Sequence, residues 1–327
     1  MEARSGSDRQ CRGFPEVPFD MTQAGGWIVL SSALFGSAVW FPLVGVFLSL
    51  LTPIPSSLSV YQWGVPRGYA VPLGSFTLSI LIFAIVGGFH ALPYFAMFLI
   101  MGIVLGHCVR SFFSREFAVC LASGLTFVLG AVLFWYHHHS PEGSIFDRLE
   151  ERTLQYLIEV LKEAGVTGVD RPYLYEQIKN TVHTVVRLLP GASLGSLLFA
   201  GAVNSVGIHR YSRRKSLPFP DWKDGILWRS PDWLVWPVIL SGFAALFVPT
   251  VRVIVLNILI VLGVIYFLQG LSVTGFLAAK LALPPWLKVL GIILIITQQY
   301  LSLVVVFVGF FDVWFDFRKI NMERRKT

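Results

Sequence analysis

Charge is what this sequence lacks most. Only 14% of its 327 residues are Asp, Glu, Lys or Arg, against 55% hydrophobic residues, and the mean hydropathy is +0.67. A soluble domain carries roughly 25% charged residues, so the deficit points to lipid as the solvent. The charges present collect in residues 1–20, 142–187, 209–232 and 312–327 and leave the stretches between them almost bare. Cysteine is scarce too. Cys11, Cys108 and Cys120 form no CxxC or other metal-binding spacing and read as small apolar fillers. No Walker lysine motif is present, so any energy coupling would come from another chain or an ion gradient. Residues 1–24 carry Arg4, Arg9 and Arg12 but no signal-peptide pattern, and they read as a disordered cytoplasmic tail.

Long apolar runs are what the sequence has instead. A membrane span needs about 20 apolar residues to cross about 30 Å of hydrocarbon. Clear candidates are 71–89, 91–109, 117–136, 189–208, 233–249, 251–269 and 289–311. Residues 26–63 are too long for one span and are interrupted by Pro42, Pro53 and Pro55, while 271–287 is short and contains Lys280.

Charge sets the parity, because Lys and Arg in short loops stay on the cytoplasmic side. The most informative junction is the small-residue helix Pro190–Ile208 opening into His209-Arg210-Tyr211-Ser212-Arg213-Arg214-Lys215. Arg67, Arg110, Arg115 and the tail cations Arg318, Lys319, Arg324, Arg325 and Lys326 also belong inside. All are accommodated by ten crossings with both termini cytoplasmic, if 26–63 crosses twice and 271–287 once. The net charge of +7 is then a product of topology and does not indicate nucleic acid. Anionic lipid headgroups are the natural partner for such cations.

The predicted division is a 1–24 tail, a membrane module over 25–208, a basic loop over 209–232, membrane helices over 233–312 and a basic tail over 313–327. Within the first module, 140–187 lies outside. There Phe146, Leu149, Leu157, Ile158 and Leu161 share one helical face. After Gly165-Val166-Thr167-Gly168, Asp170 caps a second helix with Pro172 in its first turn. Tyr175, Ile178, Val182, Val185, Val186 and Leu189 form its apolar stripe. The expectation is an amphipathic hairpin on the bilayer surface or over the mouth of the bundle.

Two motifs invite a catalytic or metal reading and do not sustain it. Gly191-Ala192-Ser193-Leu194-Gly195 matches GxSxG, but a nucleophile elbow needs a strand–turn–helix setting. The same residues supply GxxxG, and Ala192, Ser196, Ala200 and Asn204 continue a small-residue stripe suited to helix packing. Gly102 and Gly106 read the same way. In His137-His138-His139, adjacent helical positions point about 100° apart, so the three cannot all ligate one metal. No span carries an acid–base pair or a metal set, so no catalytic residue, metal or cofactor is expected.

Polar groups within the spans are stronger signals, since each must find a partner or a wet cavity. Asn204, Asn257, Gln269, Gln298, Gln299 and Lys280 are the set, and Asn204, Asn257, Gln298 and Gln299 are the candidate ligand-lining residues. At the C-terminal end, Asp312 and Asp316 are like charges one turn apart at a helix terminus whose dipole disfavours acids. Either cations hold them or both carboxylates are simply solvated. Arg210, Arg213, Arg214 and Arg229 are the expected partners, with Arg318 set aside as too close in sequence to turn back.

Three groups of residues carry a resemblance. The ending Gly309…Asp312…Asp316-Phe317-Arg318-Lys319, the loop Phe219-Pro220-Asp221-Trp222…Pro231-Asp232-Trp233-Leu234-Val235-Trp236, and Leu189-Pro190…Asn204…Arg210 resemble the YybS-like family of bacterial multi-pass membrane proteins. That resemblance implies the bacterial inner membrane and no assigned reaction. Residues 26–208, with Pro53-Ile54-Pro55, Gly64…Gly68, Gly87-Gly88 and Met101-Gly102…Gly106, are more weakly similar to the substrate-binding subunits of energy-coupling-factor transporters. The expected fold is an all-α polytopic bundle. The expected function is small-molecule binding of a transport-like kind. The alternative is a non-transporting scaffold or regulator that docks a cytoplasmic protein.

Overall fold

A computed structural model of the chain describes residues 17–138, 144–165 and 172–318. The expectations on Cys11, the side chains of His137-His138-His139, the Asp170 cap and the last nine residues fall outside them. The fold is 85% helical with no strand among the described residues, the all-α bundle that the composition requires. The α-helices are α1 (Met21–Trp40), α2 (Pro42–Ser49), α3 (Pro53–Trp63), α4 (Ala70–Val86), α5 (Leu92–Arg110), α6 (Arg115–His138), α7 (Ile145–Glu163), α8 (Pro172–Lys215), α9 (Val235–Phe247), α10 (Arg252–Lys280), α11 (Pro285–Thr297) and α12 (Gln299–Phe315).

The chain forms two compact units, residues 1–130 with 197–225, and residues 131–196 with 226–327. The division between the units runs through α6 and α8, residues 131–138 of α6 and 172–196 of α8 grouping with the C-terminal helices, because a long helix has no reason to end where a packing unit does.

The first unit is built around α3. Pro53 and Pro55 start this helix, where a missing N–H and a fixed φ cost nothing. Every residue of α3 except Ile54 is buried. Two of its serines fit an apolar centre because their hydroxyls turn back on carbonyls of the same helix: Ser57 Oγ donates to Ile54 O (2.8 Å) and Ser59 Oγ to Ser56 O (2.9 Å), Ser59 also reaching Gly68 O (2.8 Å). Gly102 and Gly106 of α5 let the two backbones meet. A Cβ at Gly102 would lie 2.5 Å from Pro53 O, and one at Gly106 would lie 2.6 Å from Ser57 O. Both glycines do the packing expected of them. The expected disordered tail, by contrast, is docked from residue 17 onward. Asp20 Oδ1 caps α1, Phe19 packs on Trp63 (4.7 Å between centroids), and Trp63 Nε1 donates to Pro18 O.

In the second unit, α7 packs on the outer half of α8 through Leu154, Val182 and Val186, flanked by Glu150–His183 and Asp147–Arg187 pairs at 2.8 and 3.3 Å. The predicted hairpin exists, although Val185 and Leu189, expected on its apolar stripe, are exposed. Its second helix continues through Pro190 into the membrane segment as one 44-residue helix, about 66 Å long and so about twice the hydrocarbon thickness.

Against the ten crossings expected, six helical stretches among the described residues are long and apolar enough to span, or seven if α11 and α12 count as one broken span. Met21–Trp40 has the length but falls short of the same hydropathy. Residues 251–269 and 271–287 are not two spans, because α10 runs unbroken from Arg252 to Lys280 with Gly270 inside it. The expected span 289–311 is instead bent by 102° at Gln298.

Candidate functional site

The most polar buried constellation of the second unit is centred on Asp312, whose side chain is fully buried in the last turn of α12. Two close approaches create it. A Cβ at Gly309 would lie 2.0 Å from Tyr266 O, and one at Gly270 would lie 2.0 Å from Val305 O, so α10 and α12 touch backbone to backbone. That contact brings Gln269 within reach, and its Nε2 donates to Asp312 Oδ2 at 3.1 Å.

The chain then reverses. Asp316 ends α12 in the left-handed region (φ 43°), which Asp tolerates better than most residues. Its N–H donates to Asp312 O, and the next N–H, from Phe317, donates to Asp312 Oδ1 at 3.1 Å. Arg318 is thereby folded back onto Asp312, Nη2 to Oδ2 at 2.6 Å, with both side chains fully buried. Arg318 Nη1 donates to Ile226 O (3.0 Å) and Trp228 O (2.8 Å), while Gln269 Oε1 accepts from the backbone and hydroxyl of Ser230. Arg229 adds a bond to Val313 O and pairs with Asp232, both at 2.9 Å.

This arrangement corrects the expected clasp. Asp312 is held, as its misplacement at a helix terminus demands, but by Arg318, the cation excluded on sequence distance. The left-handed turn at Asp316 removes that objection. Arg229 is present but bonds to backbone and to Asp232. Arg213 pairs with Asp224 at 3.1 Å, and Arg210 and Arg214 are exposed. Within the cage the Asp312 carboxylate accepts three hydrogen bonds, from Gln269, Phe317 and Arg318, which compensate its buried charge. Ser230, which completes the cage, has no signal in the sequence.

The four candidate ligand-lining residues fall into two kinds. Asn204 is fully buried and its Nδ2 donates to Leu50 O (2.7 Å) and Ala200 O (2.6 Å), tying α8 to the α2–α3 segment. Asn257 is a joint between α8 and α10, accepting from Gly191 N–H (2.6 Å) and donating to Arg187 O and Val253 O. Both amides serve helix packing. Gln298 and Gln299 are exposed and sit at the break between α11 and α12.

The GxSxG match is packing as well. Gly191 and Gly195 face α10, where a Cβ would lie 2.7 Å from Asn257 O and 3.0 Å from Val264 Cγ2, while Ser193 is exposed. Of the predicted stripe, Ala200 and Asn204 are buried, while Ala192 and Ser196 are exposed and Gly191 and Gly195 pack in their place. No group of three or more metal-ligating side chains occurs among the described residues.

A family model described as "Predicted membrane protein (DUF2232)" matches residues 29–313, and the chain belongs to that family. No curated protein and no solved structure matches the chain.

Proposed function

We propose that this member of a family of predicted membrane proteins is a small-molecule-binding, transport-like protein of the bacterial inner membrane, with both termini cytoplasmic. The observation that carries the reading is the 102° break between α11 and α12. Backbone groups freed at a helix break cannot face hydrocarbon unpaired. Broken helices inside membranes border wet cavities or binding sites, and in secondary transporters they mark the substrate. Gln298 and Gln299 supply amides at that point of an otherwise apolar stretch. The YybS-like motifs and the likeness of 26–208 to energy-coupling-factor subunits are the finer, analogical part of this reading. The chain itself performs no reaction on this account, and nucleic acid is not among its partners.

Cysteine scanning in a cysteine-free background tests the proposal. Gln298→Cys should react with a membrane-impermeant thiol reagent, while Ile292→Cys and Val304→Cys, six residues to either side, should not. An inert Gln298→Cys, or equal reaction at all three positions, would overturn it.

A second reading has its own support. Arg210, Arg213, Arg214, Lys215 and Lys223 are exposed on the first unit, a basic surface that fits a scaffold or regulator docking an acidic cytoplasmic protein. Reversing three of those charges would then abolish partner capture and leave the labelling at Gln298 unchanged.

A further inference from the structure

Arg115 opens α6, and its residue surface is only 9% exposed. Its Nε and Nη2 are shielded from solvent and have no hydrogen-bond partner. Buried guanidinium donors are almost always satisfied, because stripping them of water without replacement is costly. The rest of the neighbourhood is arranged around this cation. The Trp222 ring lies under the guanidinium, 5.4 Å from Cζ to centroid, and is fixed by Nε1 donating to Phe113 O. Phe219 packs on Trp222 and is stacked on His209 at 4.8 Å. His209 lies within electrostatic reach of Arg115, Arg213 and Asp224. Asp224, about half exposed, pairs with Arg213 at 3.1 Å.

We propose that Arg115, with Arg213 and the first turn of α6, forms a phosphate-binding site. A planar fork of buried donors matches phosphate oxygens, and a helix N-terminus adds a favourable field. Glu116 also lies in that first turn, and it and Asp224 both act electrostatically on Arg115. The phosphate would compete with Asp224 for Arg213. Its source is a phospholipid headgroup or a soluble phosphate ester. Exposed Phe112, Phe113 and Phe117 beside Arg115 place the site where aromatic side chains meet headgroups.

The test uses the full-length protein, delipidated in neutral detergent. Its melting temperature is followed on titration with short-chain phosphatidylglycerol, with glycerol 3-phosphate, and with short-chain diacylglycerol as the phosphate-free control. Stabilisation by phosphatidylglycerol alone identifies a headgroup site, and stabilisation by glycerol 3-phosphate as well identifies a soluble ligand. Arg115→Gln should weaken the apparent affinity at least about tenfold, the scale of a lost charge-assisted fork. Asp224→Asn should tighten it, and Lys215→Gln should leave it unchanged. Should Arg115→Gln fail to fold, Arg115→Lys and Asp224→Asn decide. The proposal is overturned if diacylglycerol stabilises equally, or if neither the Arg115 variants nor Asp224→Asn shifts the titration.

Discussion

The centre of the first unit and the Asp312 cage of the second bury polar groups by opposite means. In α3, Ser57 and Ser59 return their hydroxyls to carbonyls one turn away, and Ser59 also reaches Gly68 O just beyond the helix at 2.8 Å, so their hydrogen bonds stay within the helix and the turn that follows it. In the cage, Asp312 depends on Gln269, Phe317 and Arg318, and Arg318 depends on the carbonyls of Ile226 and Trp228. The first arrangement is local and tolerant. The second joins three separate segments, and each of its members is exposed to the loss of the others. Local satisfaction permits close packing; long-range satisfaction specifies which segments meet.

Deletion should separate the two regions most clearly. Asp312→Ala or Arg318→Ala strands a buried charge and should cost about 3–5 kcal/mol of stability in detergent, the usual penalty for breaking a buried pair. Replacing both with apolar residues should cost less than either single change, since the desolvation burden is lifted with the attraction. Denaturant titration of the three variants measures both effects.

Overpacking should come next and should strike both regions alike. Gly309→Leu in the second unit and Gly102→Leu in the first each press a side chain into a neighbouring backbone, at about 1–3 kcal/mol or more. Chemical denaturation followed by tryptophan fluorescence reads both. The smallest effect belongs to the serine core. Ser57→Ala removes a hydroxyl whose acceptor keeps its helical bond, and should cost under about 1 kcal/mol. A loss as large as that of Arg318→Ala would show that the α3 serines form a network of their own.

The same contrast explains what the sequence disclosed. Local signals were legible: the apolar runs, the interruption of 26–63 at its prolines, the hairpin of α7 and α8, and the glycine pairs that pack. The misplacement of Asp312 at a helix terminus was legible too, because like charge and dipole are properties of neighbouring residues. Its partner was not. Whether Arg318 can reach back depends on one left-handed residue, Asp316, and on a glycine contact between helices 39 positions apart (Gly270 and Gly309). The continuity of α10 and the bend at Gln298 were hidden for a similar reason. Apolar residues flank both places, so hydropathy gives no boundary at one and no break at the other. Residues 17–20 looked like part of a tail because their anchor, Trp63, lies 45 positions from Pro18.

The central claim is that Asp312 and Arg318 are direct partners inside a buried cage. A double-mutant cycle on Asp312→Asn and Arg318→Gln, read by unfolding free energy, tests it most directly. The account predicts a coupling of about 1–3 kcal/mol between them, in the range for contacting charged groups. Additive effects at Asp312 and Arg318 would contradict it.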